Sequence, residues 1–105
     1  MTDKPIIINL DLTGCKYLGE IHQRIKIAFD FPDWYGENWS AFWDLLSCPN
    51  DYTIVEVRGI NTLPDELIPS GQKIIELLER NKKKYIEFMK RQSKFDRRFD
   101  YRIID

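Results

Sequence analysis

Three short β-prone runs, separated by segments with helical spacing, restrict this chain more than any other feature. The first, PIIINLDL (Pro5 to Leu12), is β-branched and opens on a proline, where a missing N–H is tolerable at a strand end. The second, YTIVEVRGI, alternates and is β-branched as well. The third lies in RRFDYRIID, where Phe99, Tyr101 and Ile103 alternate and the surrounding charges suit an edge strand. Parallel neighbours need long connections, and helices supply them. The order β, α, α, β, α, α, β therefore predicts an α/β fold: a small three-stranded parallel sheet flanked by about four helices.

The segments between the strands carry the helices. In TGCKYLGEIHQRIKIAFDFP, Leu18, Ile21, Ile25, Ala28 and Phe29 recur at three- and four-residue steps, giving one apolar face on a helix that stops before Pro32. His22 lies beside that stripe and reads as a boundary or surface residue. Pro32 and Gly36 then open a loop, and Asn38 is placed to cap a second helix from about Trp39 to Ser47. NTLPDELIPSG is a connection with a short helix expected at LPDEL. Ser70 is the expected cap of a long helix reaching about Gln92. Its stripe is Ile74, Ile75, Leu77, Leu78, Ile86 and Met89, with Tyr85 and Phe88 alongside.

The 105 residues show no linker, repeat or break in composition, so residues 1–105 are expected to form a single domain. No apolar run approaches the ~18 residues of a membrane span. The start, MTDKPIIINLDL, lacks the pattern of a secretory signal, so a cytoplasmic protein is expected. Cys15 and Cys48 have no metal-ligand spacing and read as small packed thiols. Neither a metal nor a cofactor is expected.

The formal net charge is only −1, yet its distribution is uneven. Asp30, Asp33, Glu37, Asp44, Asp51 and Glu56 fall between Ile27 and Val57, a segment with no lysine or arginine. Between Lys73 and Arg102 there are eleven basic residues against five acidic ones. One acidic half-surface and one basic segment would give a dipolar field that steers charged partners; the alternative is that these are solvated faces that offset each other.

The acidic segment contains the most unusual stretch, DWYGENWSAFWDLL, with three tryptophans, a tyrosine and three carboxylates. At about 100° per residue, Trp39, Phe42, Leu45 and Leu46 fall on one side of its helix, and Ser40, Asp44 and Ser47 on the other. Trp43 lies on the flank. Asp44 therefore projects from a short helix among small neighbours, open to a bulky partner. The loop before it adds Asp33, Trp34, Tyr35 and Glu37, and Gly36 allows close backbone approach. Aromatics around a central charge have the composition of an interaction hot spot.

FPDWYGENWSAFWDLL resembles the signature of the barstar family of ribonuclease inhibitors, and the order of elements around it is similar to that family's. The resemblance weakens after about Met89, where KRQSKFDRR reads as an insertion. It implies that the second helix and its loop plug the active site of a small microbial ribonuclease. Asp44 would take the place of a substrate phosphate and pair with the enzyme's cations. The energetic weight of that aspartate comes from the barnase–barstar pair, itself the standard example of a charged hot spot, rather than from this sequence. The resemblance places Trp34, Tyr35, Gly36, Asn38, Trp43 and Ser47 around Asp44. Ser40 stands where the family has a second helix acid. Asn81 stands in place of an acid on the last helix, with Glu76 and Glu79 near it.

Three other readings compete with an inhibitor. Catalysis finds little support, because His22 is the only histidine and no phosphate loop, HExxH motif or catalytic triad accompanies it. Nucleic-acid binding would use RNKKKY and KRQSKFDRRFDYR, although Glu76, Glu79, Glu87, Asp96 and Asp100 intersperse the cations and the pI is near 5.8. A non-inhibitory interaction module would use the same helix. The inhibitor is expected to be a monomer that binds its cognate ribonuclease and no small-molecule substrate, with affinity falling steeply in salt and on Asp44→Ala.

Overall fold

A computed structural model describes residues 5–47, 52–91 and 99–104, apart from the side chains of Phe88, Met89 and Arg91. Cys48, Asp51 and residues 92–98 of the expected insertion lie outside the described residues. The strands are β1 (Ile6–Asp11), β2 (Thr53–Arg58) and β3 (Phe99–Ile104). The helices are α1 (Leu18–Phe29), α2 (Trp39–Leu46) and α3 (Ile68–Arg91). The protein is thus α/β with three helices, and the fourth expected at LPDEL is a single 3-10 turn, Asp65–Leu67.

β2 pairs in parallel with β1 on one side and β3 on the other. Ile8, Val55 and Tyr101 share one rung, and Leu10, Val57 and Ile103 another. Alternation turns Leu10, Val55, Val57 and Phe99 to one face, where they join a core with Ile21 and Ile25 of α1, Phe42 and Leu46 of α2, and Ile74 and Leu78 of α3. All three helices therefore lie on the same side of the sheet. Two crossovers of the same hand that advance in one direction produce such an arrangement, and the right hand is the strongly favoured one for parallel strands. The opposite face carries the rung Asn9, Glu56, Arg102, in which Glu56 pairs with Arg102 at 3.3 Å and with Arg58 at 3.5 Å.

The local chemistry explains the boundaries. α1 ends where Asp30 turns left-handed (φ 55°) and Phe31 N–H bonds the Lys26 carbonyl, just ahead of Pro32. Gly59 leaves β2 with φ 75°, and a Cβ there would collide with Thr13, so only glycine lets the two strand exits pass. Ser70 is not a cap. The 3-10 turn runs directly into α3 at Ile68, and Pro69 fits its first turn, where an N–H has no helical acceptor in any case. Ile86 is also off the core stripe, at 47% exposed; its neighbour Tyr85 is buried instead and stacks on Phe99. Tyr101 closes the far edge, its hydroxyl donating to Glu79 of α3 at 2.6 Å. That bond and burial raise the Tyr101 hydroxyl to a pKa of about 12.

Candidate functional site

α2 has only eight residues, too short to persist by itself, so its position depends on what holds its ends. At the N-terminus the Asn38 side chain accepts the Ala41 N–H at 2.8 Å and donates to the Gly36 carbonyl at 3.1 Å. The cap thus fastens the helix to the loop before it. A Cβ on Gly36 would come within 3.1 Å of the Asn38 amide nitrogen, so the missing side chain makes room for the cap. At the C-terminus the last carbonyls are met by α3. Asn81 Nδ2 lies 3.4 Å from the Leu46 carbonyl, and Lys84 Nζ donates to that of Ser47 at 2.9 Å. A cation there also suits the negative end of the helix dipole.

Phe42 and Leu46 face inward, with Phe42 fully buried, a contribution of about 2–3 kcal/mol. Trp39, Trp43 and Leu45 are half-buried against the core, while Ser40 and Asp44 are exposed one turn apart. Between α2 and α3 lies a groove of about 210 Å³. Trp39, Ser40, Trp43 and Asp44 line it from α2, and Lys73, Leu77 and Arg80 from α3. The Arg80 guanidinium sits 5.3 Å from the centre of the Trp43 ring and Lys84 Nζ 6.0 Å from it, both within cation–π range.

The loop residues separate into two groups. Trp34 is 74% exposed, and Gly36 and Asn38 are exposed as well. Tyr35 is buried, its hydroxyl 2.8 Å from His22 Nδ1. His22 is itself only 2% exposed, not a surface residue, because Tyr35 satisfies its polar atom and Trp39 packs over its ring at 4.7 Å. Burial pushes the His22 pKa down against the opposing pull of Glu37, and pushes the Tyr35 hydroxyl up. Both groups are therefore neutral near pH 7, and together they form a support beneath Trp39.

Two expectations concern charge, and the one about Asn81 is corrected. Asn81 is fully buried at the α2–α3 contact, so it does not occupy a surface acid position; its neighbour Arg80, about 100° around the helix, borders the groove. Of the two readings of the charge split, offsetting faces describe the seam between α2 and α3. The topology sets α3 against α2: Lys73 and Arg80 line the groove with Asp44 and Trp43, and Lys84 reaches Trp43 and the Ser47 carbonyl. Their spacing with Leu77 marks one helix face in the sequence, but nothing local to α3 reveals what that face meets.

The family model described as Barstar (barnase inhibitor) matches residues 6–101, nearly the whole chain. The chain belongs to the barstar family. Membership at this level supports an inhibitor of the barnase type, with a ribonuclease as its partner, and the motif that first suggested barstar occupies α2 and its loop. No curated protein matches the chain. Among the described residues no cluster of histidine, cysteine and carboxylate side chains could hold a metal ion, and no helix is long and apolar enough to cross a membrane.

Proposed function

We propose that the protein inhibits a small basic ribonuclease by seating α2 and its loop in the enzyme's active site, with Asp44 in the place of an RNA phosphate. The observation that carries this reading is the exposed Asp44 carboxylate on a helix tethered at both ends and flanked by Trp39, Ser40 and Trp43. Nucleases that grip a phosphate backbone present clustered cations, and a fixed carboxylate offers them a charge-assisted, bidentate partner. Trp34, Gly36, Asn38 and Ser47 extend the contact around Asp44, and Trp43 excludes water beside it. Tyr35 serves from below, through His22 and Trp39. The role is inhibitory and needs no cofactor, and the inhibitor meets its cognate enzyme as a monomer in the cytoplasm.

Titration into a panel of small microbial ribonucleases, followed by RNA cleavage, tests the proposal. Stoichiometric inhibition that is lost in Asp44→Ala supports it. Inhibition unchanged by that substitution rejects the phosphate mimic.

A further inference from the structure

The seam between α2 and α3 carries charges of both signs, and a partner must answer both. Lys73, Leu77, Arg80 and Lys84 follow at three- and four-residue steps along one face of α3; the first three line the groove with Asp44, and Lys84 continues the row at Trp43 and Ser47. Glu76 offsets part of this charge, at 3.5 Å from Lys73 and 3.3 Å from Arg80, but one carboxylate is shared between two cations in exposed pairs of small worth. The Arg80 side chain remains 55% exposed. Lys84 is anchored by the Ser47 carbonyl, a neutral acceptor that fixes its position without cancelling its charge. Trp43 lies within reach of both cations and gives them a common apolar wall.

We propose that the partner's docking surface bears an acidic side chain that seats against Arg80 and Lys84 beside Trp43, next to the basic group that meets Asp44. This rests on the inhibitor reading above and adds the half of the charge pattern which Asp44 does not explain. A uniformly basic cleft laid over the seam would set like charges against Arg80 and Lys84 and desolvate them without compensation. An RNA strand would bring its phosphates against Asp44 and Glu76. A protein surface with neighbouring cation and carboxylate satisfies both sides at once. Arg80 and Lys84 thereby act as a specificity filter, admitting ribonucleases with an acid at the rim of the cleft and rejecting those without one.

The test uses small microbial ribonucleases chosen so that some carry an acidic side chain at the cleft rim and others are uniformly basic. The native protein, Asp44→Ala, the Arg80→Glu/Lys84→Glu double variant and Arg80→Glu alone are titrated into each. The single variant keeps the Lys84 bond to Ser47, so it guards against misfolding, and thermal melts verify each chain. Preference of the native protein for acid-rimmed enzymes by about tenfold, reversed in the charge-swapped variants, supports the proposal. Equal inhibition of both classes by native and swapped chains overturns it while leaving the inhibitor reading intact. Absence of inhibition by every variant against every enzyme rejects the inhibitor reading, and the filter with it. Binding of a labelled single-stranded RNA by the native chain, lost in the double variant, makes nucleic acid the occupant and also overturns the proposal.

Discussion

His22 and Tyr35 each bring a polar atom into the core, and each satisfies the other. Tyr35→Phe removes one partner and leaves His22 Nδ1 buried without a bond, which should cost about 1–3 kcal/mol in urea unfolding. The same pair gives the protein a pH dependence of definite sign. His22 has its pKa lowered by burial in the folded state, with Glu37 opposing, so the unfolded chain binds the proton more readily. Its contribution to stability is present above the unfolded pKa of about 6.5 and is lost as pH falls through the lower folded value. The urea midpoint should decline over that interval and decline less in His22→Gln. Asp44 is the converse case, an exposed residue on which binding is expected to depend more than folding. Asp44→Ala should lower stability by no more than about 1 kcal/mol, as for an exposed side chain, and weaken the complex by about 2 kcal/mol or more, on the order of thirtyfold in Kd. Periodicity separated Phe42 from Ser40 and Asp44 correctly, because burial on a helix follows angle. It could not bury His22, Tyr35 or Asn81, because the groups that receive them are distant in sequence.

α2 shows which parts of an element are legible in a sequence. Its start was, because Asn38 and the Ala41 N–H it accepts are three residues apart, and a cap is local chemistry. Its other end was not, because Asn81 reaches Leu46 across 35 residues and Lys84 reaches Ser47 across 37. The apolar stripe marks the long helix, yet its start at Ile68 rather than Ser70 leaves no local trace, since a 3-10 turn that continues into an α-helix makes no break in the pattern. Asn38→Ala should lower stability by about 1 kcal/mol, measured by denaturant unfolding, and should slow binding as well, because it loosens the loop carrying Trp34 together with the helix carrying Asp44.

At the scale of the whole molecule, the parallel order β1–β2–β3 places every helix on one side and so brings the basic row of α3 against the acidic face of α2. The three strands and their helical connections were readable because period and β-branching are local properties. The meeting of the two charged segments was not, because it is a property of the crossovers. The consequence is kinetic. With Lys73 and Arg80 lining the groove that holds Asp44, and Lys84 at Trp43 and Ser47, the long-range field at the seam is partly cancelled, and the steep salt dependence expected from segregated charge should flatten. Stopped-flow association at low and near-physiological ionic strength should show a modest change for the native protein and a larger one for Arg80→Glu. The one-sided architecture also gives the molecule a back. Asn9 is exposed on the sheet face away from the helices. A tether or fused reporter joined at Asn9 would leave the α2–α3 seam pointing outward, so immobilised copies would share one orientation.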